Sequence, residues 1–181
     1  FAILTLVITS ILTSLPCLAQ GDEPGALQAG AAAIDVSPQH FPVNMLGQFY
    51  ENFAETAHDP LYARAIVLKN DQSYIAMVVV DNLGVDPTAI EAAKQLAAKE
   101  TNIPTHRIMI SSTHTHTAPP TAITTAGTTA AKYRELMING IADSIVQAHQ
   151  NLRAVEFGFN AKPLADEVFN RRWHLKPGRM P

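Results

Sequence analysis

Short hydrophobic runs along the chain predict five β-strands. The first run, AGAAAIDV, is small and apolar and stops at Ser37-Pro38, which is typical of a buried strand. Two β-branched runs, YARAIVL and YIAMVVV, follow and are joined by the turn-forming residues KNDQ, which predicts a hairpin. The second run is apolar on both faces, as in a strand covered on both sides. The predicted strands are residues 29–36, 62–68, 74–80, 106–111 and 153–160.

Two segments carry hydrophobic residues at helical spacing. Asp86-Pro87 has the form of an N-cap followed by a first-turn proline, and the apolar stripe behind it predicts a helix to about residue 100. A longer stripe predicts a second helix at residues 129–151. Residues 40–60 have no regular period and predict a long loop, a kind of segment that is often functional. This order of elements predicts an α/β fold, with a layered mixed β-sheet and packed helices.

The first nineteen residues predict a signal peptide. Residues 1–19 carry no charge and end in Cys17-Leu18-Ala19, which resembles a signal-peptidase site. The chain begins at Phe1 without an initiator Met or a basic region, so we interpret the signal as truncated at its N-terminus. A transmembrane anchor or a core helix is the alternative, but Pro16 and several hydroxyl residues interrupt the run and leave it short for a span. A lipoprotein site at Cys17 is disfavoured because Pro16 stands where a small residue is required.

The remainder of the chain divides into a linker and one domain. Residues 20–27 form a polar linker that contains Gly and Pro. Residues 28–181 end in LKPGRMP, directly after a basic cluster, so we expect them to be the N-terminal segment of a longer protein, incomplete at its C-terminus. The only cysteine, Cys17, would leave with the signal, which excludes a disulfide framework. Export without disulfides suits a protein of the bacterial periplasm or the extracellular space.

Composition limits the classes of partner. With 181 residues, 47% of them hydrophobic and 16% charged, the chain is of globular type and can bury one sizeable core. The net charge of −3 offers no field that would favour nucleic acid as a partner. We expect no stable transmembrane segment in the mature chain, and nothing in the sequence indicates an oligomeric state.

The stretch SSTHTHTAPP, at the end of the fourth predicted strand, holds the strongest chemical candidates. In an extended chain His114 and His116 would project from the same face and could share a metal. A catalytic zinc needs at least three protein ligands, and this pair supplies two at most. The alternative is a surface histidine pair among threonines. Its position favours a site, because ligands usually bind at strand ends in α/β sheets and Pro119-Pro120 would stiffen the backbone beyond the pair.

Three further places carry candidate site residues. His58, next to Asp59, precedes the second strand, and its alternative is an ordinary proline-bearing turn. The third strand ends in Asp81-Asn82-Leu83-Gly84, where polar side chains such as that of Asp81 could line a site. Asn170-Arg171 lies in a basic segment whose guanidinium could bind an anionic or hydroxyl-bearing group, or could simply be solvated. His40, His106 and His149 have no chemical neighbours in sequence, and we interpret them as structural.

Five segments together resemble the N-terminal part of the neutral/alkaline non-lysosomal ceramidase family. In chain order they are AGAAAIDVSP, HDPLYARAIVL, VVVDNLGVD, SSTHTHTAPP and FNRRWH. The most specific is THTHTAPP, which is similar to the family's THTHSGPG, with Thr117, Ala118 and Pro120 in place of Ser, Gly and Gly. Both histidines and Pro119 are kept.

The resemblance implies a zinc-dependent amidase that hydrolyses the N-acyl bond of ceramide to sphingosine and a fatty acid. It implies that His114 is a zinc ligand, that His116 contacts substrate, and that Arg171 is the active-site arginine, although Arg172 stands where the family has serine. The remaining ligands and the nucleophile would lie beyond residue 181. A ceramide-like substrate also implies access to a membrane surface.

The residues present agree with this chemistry but leave alternatives. Zinc with an open position acidifies water and polarises a carbonyl, and His114 would be fixed by an acceptor such as Asp81 or a backbone carbonyl. We expect this segment alone to be inactive and to bind zinc weakly or not at all. An exported hydrolase of the same scaffold that acts on another amide or ester is the first alternative. A non-catalytic binding domain is the second.

Overall fold

The computed structural model describes residues 25–122, 124–165 and 177–178. The predicted α/β fold is confirmed: a mixed sheet lies against two helices. The strands are β1 (Gln28–Asp35), β2 (Val43–Asn44), β3 (Phe53–Ala54), β4 (Tyr62–Asn70), β5 (Ser73–Val80), β6 (Ile108–Ser112) and β7 (Arg153–Ala154). The helices are α1 (Pro87–Thr101) and α2 (Thr129–Gln150), with a 3-10 turn at Thr105–Arg107.

The main sheet has five strands in the order β6-β5-β4-β1-β7. Only β5 and β6 are parallel, since α1 crosses between them; the other neighbours are antiparallel. In the parallel pair Val80 is the register partner of Ser112, the last residue of β6. The segments that follow β5 and β6 therefore leave the sheet side by side, and the histidine motif is one of them.

The helices begin and pack as their sequences predict. The Asp86 side chain caps α1 by accepting from the Thr88 amide at 2.9 Å, and the Thr128 hydroxyl caps α2 by accepting from Ala131 at 3.2 Å. Helix α2 packs on β1, β4 and β5, and α1 packs beside α2. The fully buried side chains of the larger residues in α2 each contribute about 1.5–3 kcal/mol; they are Met137, Ile141 and Ile145.

The opposite face of the sheet is apolar and open among the described residues. Ile66, Ile75, Val79 and Met109 are each 42–54% exposed there. The prediction that the second strand of the hairpin is covered on both faces is therefore wrong for the part of the chain that the structure describes.

Three predicted boundaries also need correction. Residues 105–107 form a 3-10 turn, so the strand predicted from residue 106 begins at Ile108. The strand predicted at residues 153–160 is only Arg153–Ala154, because it pairs with β1 for those two residues alone. The predicted loop at 40–60 contains the β2–β3 pair.

Several predictions fall on residues that the structure leaves out. The predicted signal peptide and most of the linker lie outside the described residues, as do Asn170 and Arg171. Within the described residues, neither helix combines the length and the apolar character needed to cross a bilayer.

Candidate functional site

The two motif histidines lie together just beyond the end of β6. Their ring centroids are 5.1 Å apart and the ring planes meet at 77°. The alternation of an extended strand predicts this proximity, but the backbone reaches it by another path. His114 has a φ of +63°, in the left-handed region, so the strand has already ended where the first histidine stands.

The ring of His114 is held by the segment that follows β5. Its Nδ1 atom lies 2.9 Å from the backbone oxygen of Leu83. A carbonyl oxygen can only accept, so Nδ1 must carry the proton in this bond. In the neutral ring Nε2 then keeps its lone pair, which is the atom and the form that a metal ion requires.

The ring of His116 is held in the same way by the long loop between β1 and β4. Its Nδ1 atom donates to the backbone oxygen of Gly47 at 3.0 Å. The two imidazoles therefore share one arrangement, in which Nδ1 is fixed on a main-chain carbonyl and Nε2 remains for a ligand.

Asp81 directly follows β5, which pairs with β6, but its side chain is engaged elsewhere. Its carboxylate accepts from the Tyr62 amide at 3.0 Å and from the Arg64 guanidinium at 2.6 Å. Of the two partners considered for the His114 ring, the structure gives the backbone carbonyl. Asp81 instead joins the end of β5 to the start of β4.

His58 lies between β3 and β4, close to the motif loop, which is the segment of residues 113–120 that carries both histidines. It pairs with Asp59 at 3.2 Å, and both side chains are almost fully exposed. The two residues line a largely apolar cavity of about 310 Å³, which Thr117 and Pro119 of the motif loop also line. His58 thus borders the same region as the motif without a hydrogen bond to either of its histidines.

Two buried polar residues that the sequence does not single out as site residues lie close to one another, and one of them contacts the motif loop. Asn82 is fully buried, and its side chain donates to the backbone oxygen of Pro119 at 3.0 Å. The Tyr133 hydroxyl is also buried and has no hydrogen-bond partner among the described residues. Burial raises the pKa of Tyr133 above its usual range, although the nearby Asn82 side chain acts in the opposite direction.

The described residues do not form a complete metal site. Among them, no three His, Cys, Asp or Glu side chains come together in a way that could hold a metal. The two imidazoles with free Nε2 atoms fit part of a zinc site, since zinc accepts neutral imidazole. They do not complete one.

Curated proteins that are similar to this chain include two neutral ceramidases of a plant. Among curated proteins, the chain is 31% identical over 155 residues to "Neutral ceramidase 3" and 30% identical over 154 residues to "Neutral ceramidase 2", both of Arabidopsis thaliana. Each match covers 78% of this chain but only 21% and 20% of those relatives. The chain therefore spans about a fifth of the length of the curated relatives it matches.

Solved structures and a family model agree with these matches. The fold is similar to neutral ceramidase from Pseudomonas aeruginosa, with a TM-score of 0.63, 20% identity and coverage of 73% of this chain and 23% of that one. A structure described as "Ceramidase complexed with C2" gives a TM-score of 0.54 at 22% identity, with coverage of 72% and 22%. Residues 27–174 match the model described as "Neutral/alkaline non-lysosomal ceramidase, N-terminal". The match extends over most of the sequence and confirms the resemblance found in its motifs: this chain belongs to the neutral/alkaline non-lysosomal ceramidase family.

Proposed function

We propose that this chain is part of an exported, zinc-dependent amidohydrolase of the neutral ceramidase type, which hydrolyses the N-acyl bond of ceramide to sphingosine and a fatty acid. The observation that carries the proposal is the matched setting of two adjacent imidazoles. The rings of His114 and His116 are each fixed through Nδ1 on a backbone carbonyl, and each leaves Nε2 for a ligand. Membership of the family supports the same reading.

In this proposal His114 is a zinc ligand. The Leu83 carbonyl fixes its tautomer and its direction, as the outer partners of metal-bound histidines generally do. Because a catalytic zinc needs at least three protein ligands, the others would come from residues outside those that the structure describes. Zinc bound there would supply a polarised carbonyl and an acidified water.

His116 is proposed to contact the substrate. With Nδ1 donating to Gly47, its Nε2 atom can accept a proton from the attacking water or a hydrogen bond from the substrate. The ring so protonated can then donate to the departing amine nitrogen, which must gain a proton to leave. Arg171, beside Asn170, is proposed to bind the oxyanion through its guanidinium.

The zinc assignment is tested by removing one ring. In full-length protein His114→Ala should lose the bound zinc, about one per chain, together with amidase activity, while the circular dichroism spectrum is retained. His106→Ala is the matched control, because His106 is an exposed histidine in the 3-10 turn, at the other end of β6. Full zinc occupancy in His114→Ala would refute the assignment of this ligand.

A second candidate is an exported hydrolase of the same scaffold that acts on another amide or an ester. It is favoured by the loop beside His116, where Thr117, Ala118 and Pro120 replace the family's Ser, Gly and Gly. Ala118 is buried and its carbonyl accepts from the Leu46 amide at 3.0 Å, so these replacements lie against the loop that holds His116. Assays of fluorogenic ceramide beside short N-acyl amides and esters separate the two, since turnover of the short substrates alone would remove ceramide as the substrate.

A third candidate is a non-catalytic binding domain. Repeated preparation of full-length protein without metal, under conditions that load other zinc enzymes, would favour it over both hydrolases. Export to the periplasm or the extracellular space is part of both hydrolase proposals, and access to a membrane surface is part of the first. Cleavage after residue 19, seen by N-terminal sequencing of the mature protein, would support export.

A further inference from the structure

Asn82 forms several of the hydrogen bonds that hold the motif loop in place. The residue is fully buried at the end of β5. Its backbone oxygen accepts from the amide of His114 at 3.0 Å, and its Nδ2 atom donates to the backbone oxygen of Pro119 at 3.0 Å. One residue therefore contacts the motif loop at both of its ends.

The same side chain also organises the partner of the His114 ring. The Oδ1 atom of Asn82 accepts from the amide of Gly84 at 3.1 Å, and this bond closes a tight turn around Leu83. The carbonyl of Leu83 is the group to which His114 Nδ1 donates. Asn82 thus acts on His114 twice, through its own backbone oxygen and through the turn that presents the Leu83 carbonyl.

The backbone of His114 requires such support. Its φ of +63° is a conformation that a side chain other than glycine adopts at a cost, and it persists only where the surroundings determine it strongly. The amide of Thr113 donates to the Val80 oxygen at 2.9 Å, so the segment is held on both sides of the bend. These bonds therefore hold the stretch of backbone from which the imidazole projects.

We infer that Asn82 is a positioning residue for the metal-binding ring: by fixing the bend at His114 and the Leu83 carbonyl together, it sets the direction of the His114 Nε2 atom. Asn82 does not touch the metal or the substrate in this account. The inference rests on the proposed function only for zinc binding. The hydrogen bonds from Asn82 to the motif loop and to Gly84 do not depend on a metal.

The test compares two buried side chains in full-length protein. Asn82→Ala removes both side-chain bonds and leaves the backbone oxygen in place. Thr101→Ala is the matched control, since the Thr101 hydroxyl is also buried, donates to the Ala97 oxygen at 2.7 Å and accepts from the Ile103 amide at 3.2 Å. Thr101 ends α1 before β6 begins, whereas the histidines follow the end of β6.

Two measurements are made on each variant. Zinc affinity, from competition with a chelating dye, should fall about 10- to 100-fold in Asn82→Ala and stay within about twofold in Thr101→Ala. Hydrogen–deuterium exchange of metal-free protein should quicken about tenfold in residues 113–121 of Asn82→Ala only. If Asn82→Ala does not fold, Asn82→Ser replaces it, because the neutral serine hydroxyl can still accept from the Gly84 amide but is too short to donate to the Pro119 oxygen.

The outcomes separate this inference from the proposed function. Unchanged exchange and unchanged zinc affinity in Asn82→Ala would overturn the inference, as would an equal loss of zinc affinity in Thr101→Ala. If the unsubstituted protein binds no zinc, the proposed function fails. Faster exchange confined to residues 113–121 would still support the role of Asn82 in holding the loop.

Discussion

The Nδ1 atom of His116 donates to the backbone oxygen of Gly47, which is 69 residues earlier in the chain, at 3.0 Å. Gly47 has a φ of +101°, and a Cβ atom at this position would lie 2.4 Å from His116 Cγ. The close approach and the left-handed backbone both require glycine. The long loop between β1 and β4 therefore borders the candidate site, and its backbone at Gly47 packs directly against the His116 ring.

We predict that Gly47→Ala damages the candidate site while leaving bound zinc in place. The added methyl group would push the His116 ring from its position, whereas His114 is held by other groups. If His116 contacts the substrate as proposed, a displacement of its ring by about 1 Å should lower kcat/KM about 100-fold. Zinc content and kcat/KM of the full-length protein measure the two effects.

Gly127→Ala is the control for this prediction. Gly127 also has a positive φ, +80°, but an added Cβ atom would meet nothing within 4 Å. Gly127→Ala therefore introduces backbone strain of the same kind, but its added methyl group does not contact the His116 ring. If both variants lose activity equally, the strain and not the His116 contact is responsible.

We predict that Asp81→Asn leaves zinc affinity within about twofold of the unsubstituted protein, because the carboxylate is engaged with β4 and not with His114. Asparagine can still accept from the Tyr62 amide but loses the ion pair with Arg64, whose side chain is 49% exposed. Such pairs contribute about 0–1 kcal/mol, so the free energy of unfolding in urea should fall by no more than that. A tenfold loss of zinc affinity would instead show that Asp81 acts on His114, the proposed zinc ligand.

Acid sensitivity is predicted at the start of α1. Hydrogen bonds from the Thr88 hydroxyl and amide lower the pKa of Asp86 below its usual range. Since the folded pKa is the lower one, the cap stabilises the protein fully above the unfolded value of about 3.9 and loses this effect as pH falls through the folded pKa. Asp86→Asn keeps an acceptor for Thr88 without a charge, so its stability should decline less between pH 6 and pH 3.

Urea unfolding at the two pH values measures this difference. Asp35→Asn is a useful comparison, because hydrogen bonds from Ser37 also lower the pKa of Asp35. The two substitutions should each remove part of the acid sensitivity. An unchanged dependence on pH in Asp86→Asn would contradict the assignment to the helix cap.

Hydrophobic periodicity was sufficient to predict the fold class, because each long element buries one face. The errors arise where pairing decides the structure. Residues 153–160 alternate like a strand, yet Phe157 and Phe159 are 80% and 84% exposed and only Arg153–Ala154 pairs with β1. Two-residue strands such as β2 and β3 are too short to give any period.

The candidate site was predictable only in part. The alternation of β5 continues past its end: Val78, Val80 and Asn82 are fully buried, whereas Val79 is exposed and Asp81 partly so. Extending the period by two residues would have selected Asn82 as the inward-facing polar residue. The contact of Gly47 with His116 has no such signal, because no period links a loop to a residue so distant in sequence.

A stability prediction concerns the contact between β1 and the end of α2. A Cβ atom on Gly30 would lie 2.0 Å from the backbone oxygen of Ala148, and backbone atoms cannot rotate away as a side chain can. Gly30→Ala should therefore lower the free energy of unfolding by about 1–3 kcal/mol, as overpacking usually does, with zinc affinity preserved in the fraction that folds. Gly158→Ala, where a Cβ atom would meet nothing within 4 Å, should leave stability within about 0.5 kcal/mol. Equal midpoints of urea unfolding for the two variants would mean that β1 can shift away from α2 at little cost.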